Sequence, residues 1–119
     1  MVIGKFVTDD GVTTFRLSGK LIAATLDKLK AAVDVVLEEE DCKVVLNLKQ
    51  VNIMDSVAVG FLISRFKTAK KKKGYLKFCE LQPAIMKLLS LADLDKWLEI
   101  YDGEEDAINS IRSESKTKA

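Results

Sequence analysis

Asp55 and Ser56 set a carboxylate beside a hydroxyl where a strand-like apolar run ends and a helical period begins. A serine at a helix N-terminus faces unpaired backbone N–H groups and the positive end of the macrodipole, a setting that suits a phosphate. Ser and Asp are also favoured there purely as helix caps, so the local sequence reads as a cap, a phosphoryl acceptor, or both. A nucleophile with its own base is a poorer reading. The chain has no histidine, which removes the usual general base and the commonest metal ligand, and no Gly-x-Ser-x-Gly elbow surrounds Ser56. No catalytic residue, metal site or cofactor is expected, and the protein is not expected to be an enzyme.

The elements around this pair form a consistent series. Val2 to Val7 and Val12 to Leu17 carry strand-forming residues on either side of Asp9-Asp10-Gly11, which has turn chemistry, so a hairpin is expected. The acidic pair is not the phospho-acceptor site of a receiver domain, because strand residues and not a helix follow it. Leu26, Leu29, Val33, Val36 and Leu37 share one face of a helix for which Thr25 stands at the N-cap. Lys43 to Leu48 is nearly continuous in apolar residues, as a doubly covered central strand requires, and Lys49 to Asp55 reads as a loop. The helix after Ser56 turns Val59, Leu62, Ile63 and Phe66 inward and ends at a lysine cluster with Gly74 as its stop.

Tyr75 to Glu80 alternates as a strand, Pro83 opens a short helix bearing Ile85, Leu88 and Leu89, and Leu98 to Tyr101 makes a last short strand. Asp102 and Glu105 have the spacing of a capping signal for a final helix with Ala107, Ile108 and Ile111 on one face. The expected organisation is a single domain over residues 1–112 and a mobile tail over 113–119. The fold class is α/β: an N-terminal hairpin leading into a mixed, mostly parallel sheet of four to five strands packed with about four helices.

Composition limits the partners. Lys plus Arg total 19 and Asp plus Glu 18, so no charge excess points to nucleic acid or to a membrane surface. Lys70 to Lys73 are explained by the dipole at a helix C-terminus, and the wider group of Lys67, Lys70, Lys71, Lys72, Lys73 and Lys77 has only Tyr75 and Phe78 nearby, of which the strand pattern needs Phe78 inside, so no nucleic-acid surface is expected there. No apolar run approaches the roughly 20 residues that cross a bilayer and no signal-peptide core opens the chain, so a cytoplasmic protein with protein partners is expected. Cys42 and Cys79 read as reduced, buried hydrophobes.

In this order, Phe15-Arg16-Leu17-Ser18-Gly19-Lys20-Leu21, then Val44-Val45-Leu46-Asn47-Leu48, then Val51 and Met54 into Asp55-Ser56, and finally Pro83, Ile85, Leu88, Leu89, Leu94 and Ile100, the chain resembles a STAS domain. The likeness is to the small stand-alone anti-sigma factor antagonists of bacteria and covers nearly the whole length. It implies that Ser56 is phosphorylated by a partner serine kinase that doubles as the anti-sigma factor, and that modification switches binding off. It further implies a partner surface of Lys20, Leu21, Ile22, Ala23, Met54, Asp55, Ser56 and Val57 on a monomer or weak dimer. The family commonly continues Asp-Ser with Ser-Gly-Leu-Gly and places an aspartate after Gly-x-Leu. Here Val57-Ala58-Val59-Gly60 keeps the last glycine but loses the second hydroxyl and the first glycine, and Ile22 replaces the aspartate; Val57, Ala58 and Ile22 suit the alternative of a non-phosphorylated accessory subunit docking on a transporter ATPase or sensory complex.

Overall fold

The computed structural model describes residues 1–117. Strands β1 (Val2–Val7) and β2 (Thr13–Leu21) form the expected antiparallel hairpin, whose turn ends on Gly11 at φ +86°, a backbone conformation that glycine adopts without strain. A 3-10 turn (Ala23–Thr25), α1 (Leu26–Leu37), β3 (Lys43–Met54), α2 (Ser56–Lys71), β4 (Tyr75–Cys79), α3 (Pro83–Leu91), β5 (Ile100–Tyr101) and α4 (Glu104–Thr117) follow. The sheet runs β1-β2-β3-β4-β5 and every pair after the hairpin is parallel. The protein is thus an α/β fold with a mixed five-stranded sheet.

Alternation along β3 divides the interior. Val44, Leu46 and Leu48 join Phe15, Leu17, Leu76 and Phe78 in the larger core, beneath Leu29 and Val33 of α1, Leu62 and Phe66 of α2 and Ile85 and Leu89 of α3. Val45 points the other way and meets Val12, Cys79, and Ala107 and Ile111 of α4. Three successive crossovers of one hand in one direction must place α1, α2 and α3 on the same face, which leaves the opposite face to α4. Each fully buried leucine contributes about 1.5–3 kcal/mol, so the larger core dominates stability.

Several local expectations need correction. β2 does not stop before Ser18 and residues 49–54 are not a loop: the two strands continue side by side until Leu21 pairs with Met54. A bulge hides this in the sequence, because the register shifts twice between Arg16 and Lys20 and Gly19 sits at φ +116°. Thr25 occupies the N-cap position of α1, but its hydroxyl donates to Lys20 O at 2.6 Å and accepts from Ile22 N–H at 3.1 Å, so it closes the preceding turn instead of capping the helix. The left-handed residue after α2 is Lys73 (φ +58°); Gly74 is required because a Cβ there would lie 2.8 Å from the Cys42 carbonyl oxygen. The start of α4 is held by Glu80, whose Oε2 accepts the Glu104 N–H at 3.0 Å. The tail expected from Ser113 begins inside α4, which continues to Thr117 because Glu114 reaches Lys77 on β4; residues 118–119 lie outside the described residues.

Both cysteines are free and buried. Burial pushes the Cys42 thiol up, and burial with the neighbouring Glu80 charge pushes Cys79 up to about 12. The native protein is therefore expected to resist a thiol-disulfide reagent at pH 8 and to release two equivalents of chromophore only on unfolding. Fast labelling of the folded chain would contradict this packing.

Candidate functional site

The site lies where β2 and β3 end together. Leu21 and Met54 are in register, and Asp55 N–H donates to Leu21 O at 3.3 Å, so the turn after β2 and the turn before α2 emerge from one edge of the sheet. In a parallel sheet this carboxyl-terminal edge is where connecting loops are free to vary without disturbing the core.

Asp55 joins the two turns. With its backbone extended, it is the N-cap of α2, and its Oδ1 accepts the Ala58 N–H at 2.9 Å. Its Oδ2 accepts the Ala23 N–H at 2.9 Å, across 32 positions of sequence. The bonds from Ala23 and Ala58 hold the carboxyl below the ordinary carboxylate range, so Asp55 is a fixed anion at neutral pH.

Because Asp55 takes the cap, Ser56 is spared it. Ser56 is the first residue of α2, it is exposed, and among the described residues its hydroxyl enters no hydrogen bond. Lys20 and Ala23 are also exposed, Ile22 is half-buried, and Val57 is 51% exposed. The structure therefore brings together the two turns that the sequence nominates.

Leu21 and Met54 are the exceptions. Both are buried in the larger core, so they align the turns and present no side chain to a partner, and the surface expected of them is absent. Ile53, 44% exposed and in register with Lys20, occupies the surface instead. An apolar residue between Asn52 and Met54 reads as interior, and only the bulged pairing turns it outward. Among the described residues no group of three or more cysteine, aspartate or glutamate side chains is gathered to hold a metal ion. What the site offers is a free hydroxyl at a helix N-terminus, one adjacent fixed carboxylate, and an apolar margin of Ile22, Ile53 and Val57.

Residues 5–107 match the family model described as the STAS domain. The chain is 33% identical to an anti-sigma F factor antagonist from Paenibacillus polymyxa over 102 residues, 85% of this chain and 87% of the relative. It superposes on the crystal structure of an anti-sigma factor antagonist from Mycobacterium paratuberculosis with a TM-score of 0.79 and 27% identity, covering 93% of this chain and 95% of that one. SpoIIAA shares the fold at 20% identity in its unphosphorylated form (TM-score 0.78; 94% and 97% of the two chains) and at 19% as the phosphorylated Bacillus cell fate determinant (TM-score 0.71; 92% and 99%). No helix among the described residues is long and apolar enough to cross a membrane.

Proposed function

This chain belongs to the STAS domain family, and we propose that it is an anti-sigma factor antagonist whose hold on an anti-sigma factor is broken when a serine kinase phosphorylates Ser56. The observation that carries the reading is the division of labour at the turn: Asp55 caps α2 and leaves the Ser56 hydroxyl exposed and unbonded.

The chemistry needs nothing from this chain but that oxygen. Ser56 Oγ attacks the γ-phosphorus of ATP held by the kinase, the new O–P bond forms as the bond to ADP breaks, and the hydroxyl proton passes to a carboxylate of the kinase. The product adds about −1.5 to −2 charges beside the fixed Asp55 anion. The N-terminal dipole of α2 offsets about 1 kcal/mol of this within the domain. A partner packed over Ile22, Ile53 and Val57 has no such compensation and must desolvate both charges.

Incubation with the partner kinase and Mg-ATP is expected to label Ser56 alone, and Ser56→Ala is expected to abolish labelling while retaining partner binding. Labelling that persists in Ser56→Ala would remove the assignment. The half-exposed apolar margin also fits an unmodified accessory subunit on a transporter ATPase. Copurification of such an ATPase, with no phosphate at Ser56, would favour that second reading.

A further inference from the structure

The far end of α2 carries a feature that the switch does not use. Residues 56, 60, 67 and 71 follow the helical period, so a single face runs from Ser56 to the lysine cluster, about 22 Å away at 1.5 Å per residue. There it borders an open groove of about 590 Å³ lined by Phe66, Lys67, Lys70, Lys71, Trp97 and Glu99. Phe66 and Trp97 form its floor, with ring centroids 5.0 Å apart, and Trp97 remains 43% exposed. The Lys67 and Lys70 ammoniums stand 5.8 Å from the Trp97 centroid and 5.3 Å from the Phe66 centroid.

The rim carries surplus positive charge. Lys70 pairs with Glu99 Oε2 at 3.1 Å, and the other oxygen of Glu99 is taken by Lys77, whereas neither Lys67 nor Lys71 has an ion-pair partner among the described residues. The dipole at the end of α2 accounts for Lys70 and Lys71, but not for an exposed indole with Lys67 one turn earlier.

We propose that this groove is a second docking site, which takes an acidic segment of a protein partner anchored by an apolar side chain on Phe66 and Trp97. Charge complementarity favours that occupant: two uncompensated ammoniums one turn apart match carboxylates along a peptide, while the aromatic floor supplies the apolar contact. The groove is open along its length, which suits a segment lying across it better than a small ligand that must be mostly enclosed. Its distance from Ser56 exceeds the screening length of about 8 Å at physiological salt, so a phosphate at Ser56 leaves it occupied. A partner using both ends of α2 stays tethered here after release at the switch.

Trp97 is the only tryptophan in the chain, so its emission reports on the groove directly. Titration of the full chain with an acetylated, amidated Glu-Glu-Leu-Glu-Glu-Leu-Glu-Glu peptide at physiological salt, about 0.15 M, is expected to give a saturable change. The Lys67→Glu/Lys71→Glu variant, altered only at exposed positions, is expected to weaken it about tenfold or more with unchanged circular dichroism, and Ser56→Asp to leave it within about twofold. No saturable change up to about 1 mM peptide, equal binding by the double variant, or ATP binding as tightly as the peptide would overturn the proposal. The last result would make the groove a small-anion site. A weakened titration in Ser56→Asp would overturn its independence from the switch.

Discussion

Ser56→Asp is expected to weaken the complex with the anti-sigma factor at least about 100-fold, close to 3 kcal/mol, while the free protein keeps its melting temperature within a degree or two. The two halves of this expectation have different origins. Within the domain, a carboxylate in the first turn of α2 meets a favourable dipole, and the position is exposed, so the change is close to neutral for folding. In the proposed complex, the new charge would lie next to Asp55 under a partner surface that excludes water, where two adjacent anions would have no counterion. Aspartate carries less charge than a phosphoserine, so phosphorylation of Ser56, as proposed, is expected to act more strongly. Isothermal titration of wild type, Ser56→Ala and Ser56→Asp against the same partner measures both halves. Equal affinity for all three would leave the STAS module standing and remove the switch.

Removing the acids around Lys77 is expected to be the most damaging change to stability. Lys77 is wholly buried on the sheet face covered by α4, where its ammonium donates to Glu114, to Glu99 Oε1 at 2.9 Å and to Tyr101 Oη at 3.3 Å. Burial alone would lower the pKa of this ammonium, but the bonds to Glu114, Glu99 and Tyr101 outweigh it and hold the group above its ordinary value. Glu99→Gln with Glu114→Gln would strand a buried cation, with a loss of about 3 kcal/mol and about 10 °C in melting temperature. Lys77→Met should cost much less, about 1 kcal/mol, because the two glutamates left behind are partly exposed and can be hydrated. If Lys77→Met proved as damaging as the double glutamine variant, packing rather than charge would be the cause.

The same cluster contributes to acid sensitivity. Burial raises the Glu99 carboxyl, but Lys77 and Lys70 outweigh that and hold it below its ordinary 4.5. Its contribution is therefore present above about that pH and fades as pH falls through the lower value of the folded state. Acid unfolding of Glu99→Gln should show a shallower pH dependence than wild type.

These cases show where sequence reading works. The hairpin turn at Asp9-Asp10-Gly11 and the stripe of Leu26, Leu29, Val33 and Leu37 are local patterns, and the chain obeys them. Ser56 could be nominated for the same reason, since a strand end followed by a helical period is visible in the residues. Features set by distant partners were not legible. Lys77 alternates with Leu76 and Phe78 and so reads as an outward residue, and only α4, with Glu114 37 positions later, buries it. The continuation of β3 to Met54 depends on Leu21, and the clamp from Asp55 to Ala23 depends on that pairing in turn. Ile53 was missed because a bulge, and not its own chemistry, turns it outward.

The Asp55 clamp also bears on the timing of partner exchange. Because one carboxylate fixes both turns before any partner arrives, the surface has already lost its conformational freedom during folding and need not order itself on encounter. Association should then proceed at the ordinary rate for rigid protein pairs, about 10⁵–10⁷ M⁻¹s⁻¹, in both chemical states of Ser56. On the proposed switch, the expected difference is residence time: a phosphorylated molecule would dock in the same pose at the switch surface and leave that surface sooner. The pathway would thus read the fraction of Ser56 that is free through how long each complex lasts, with no refolding step to delay the response.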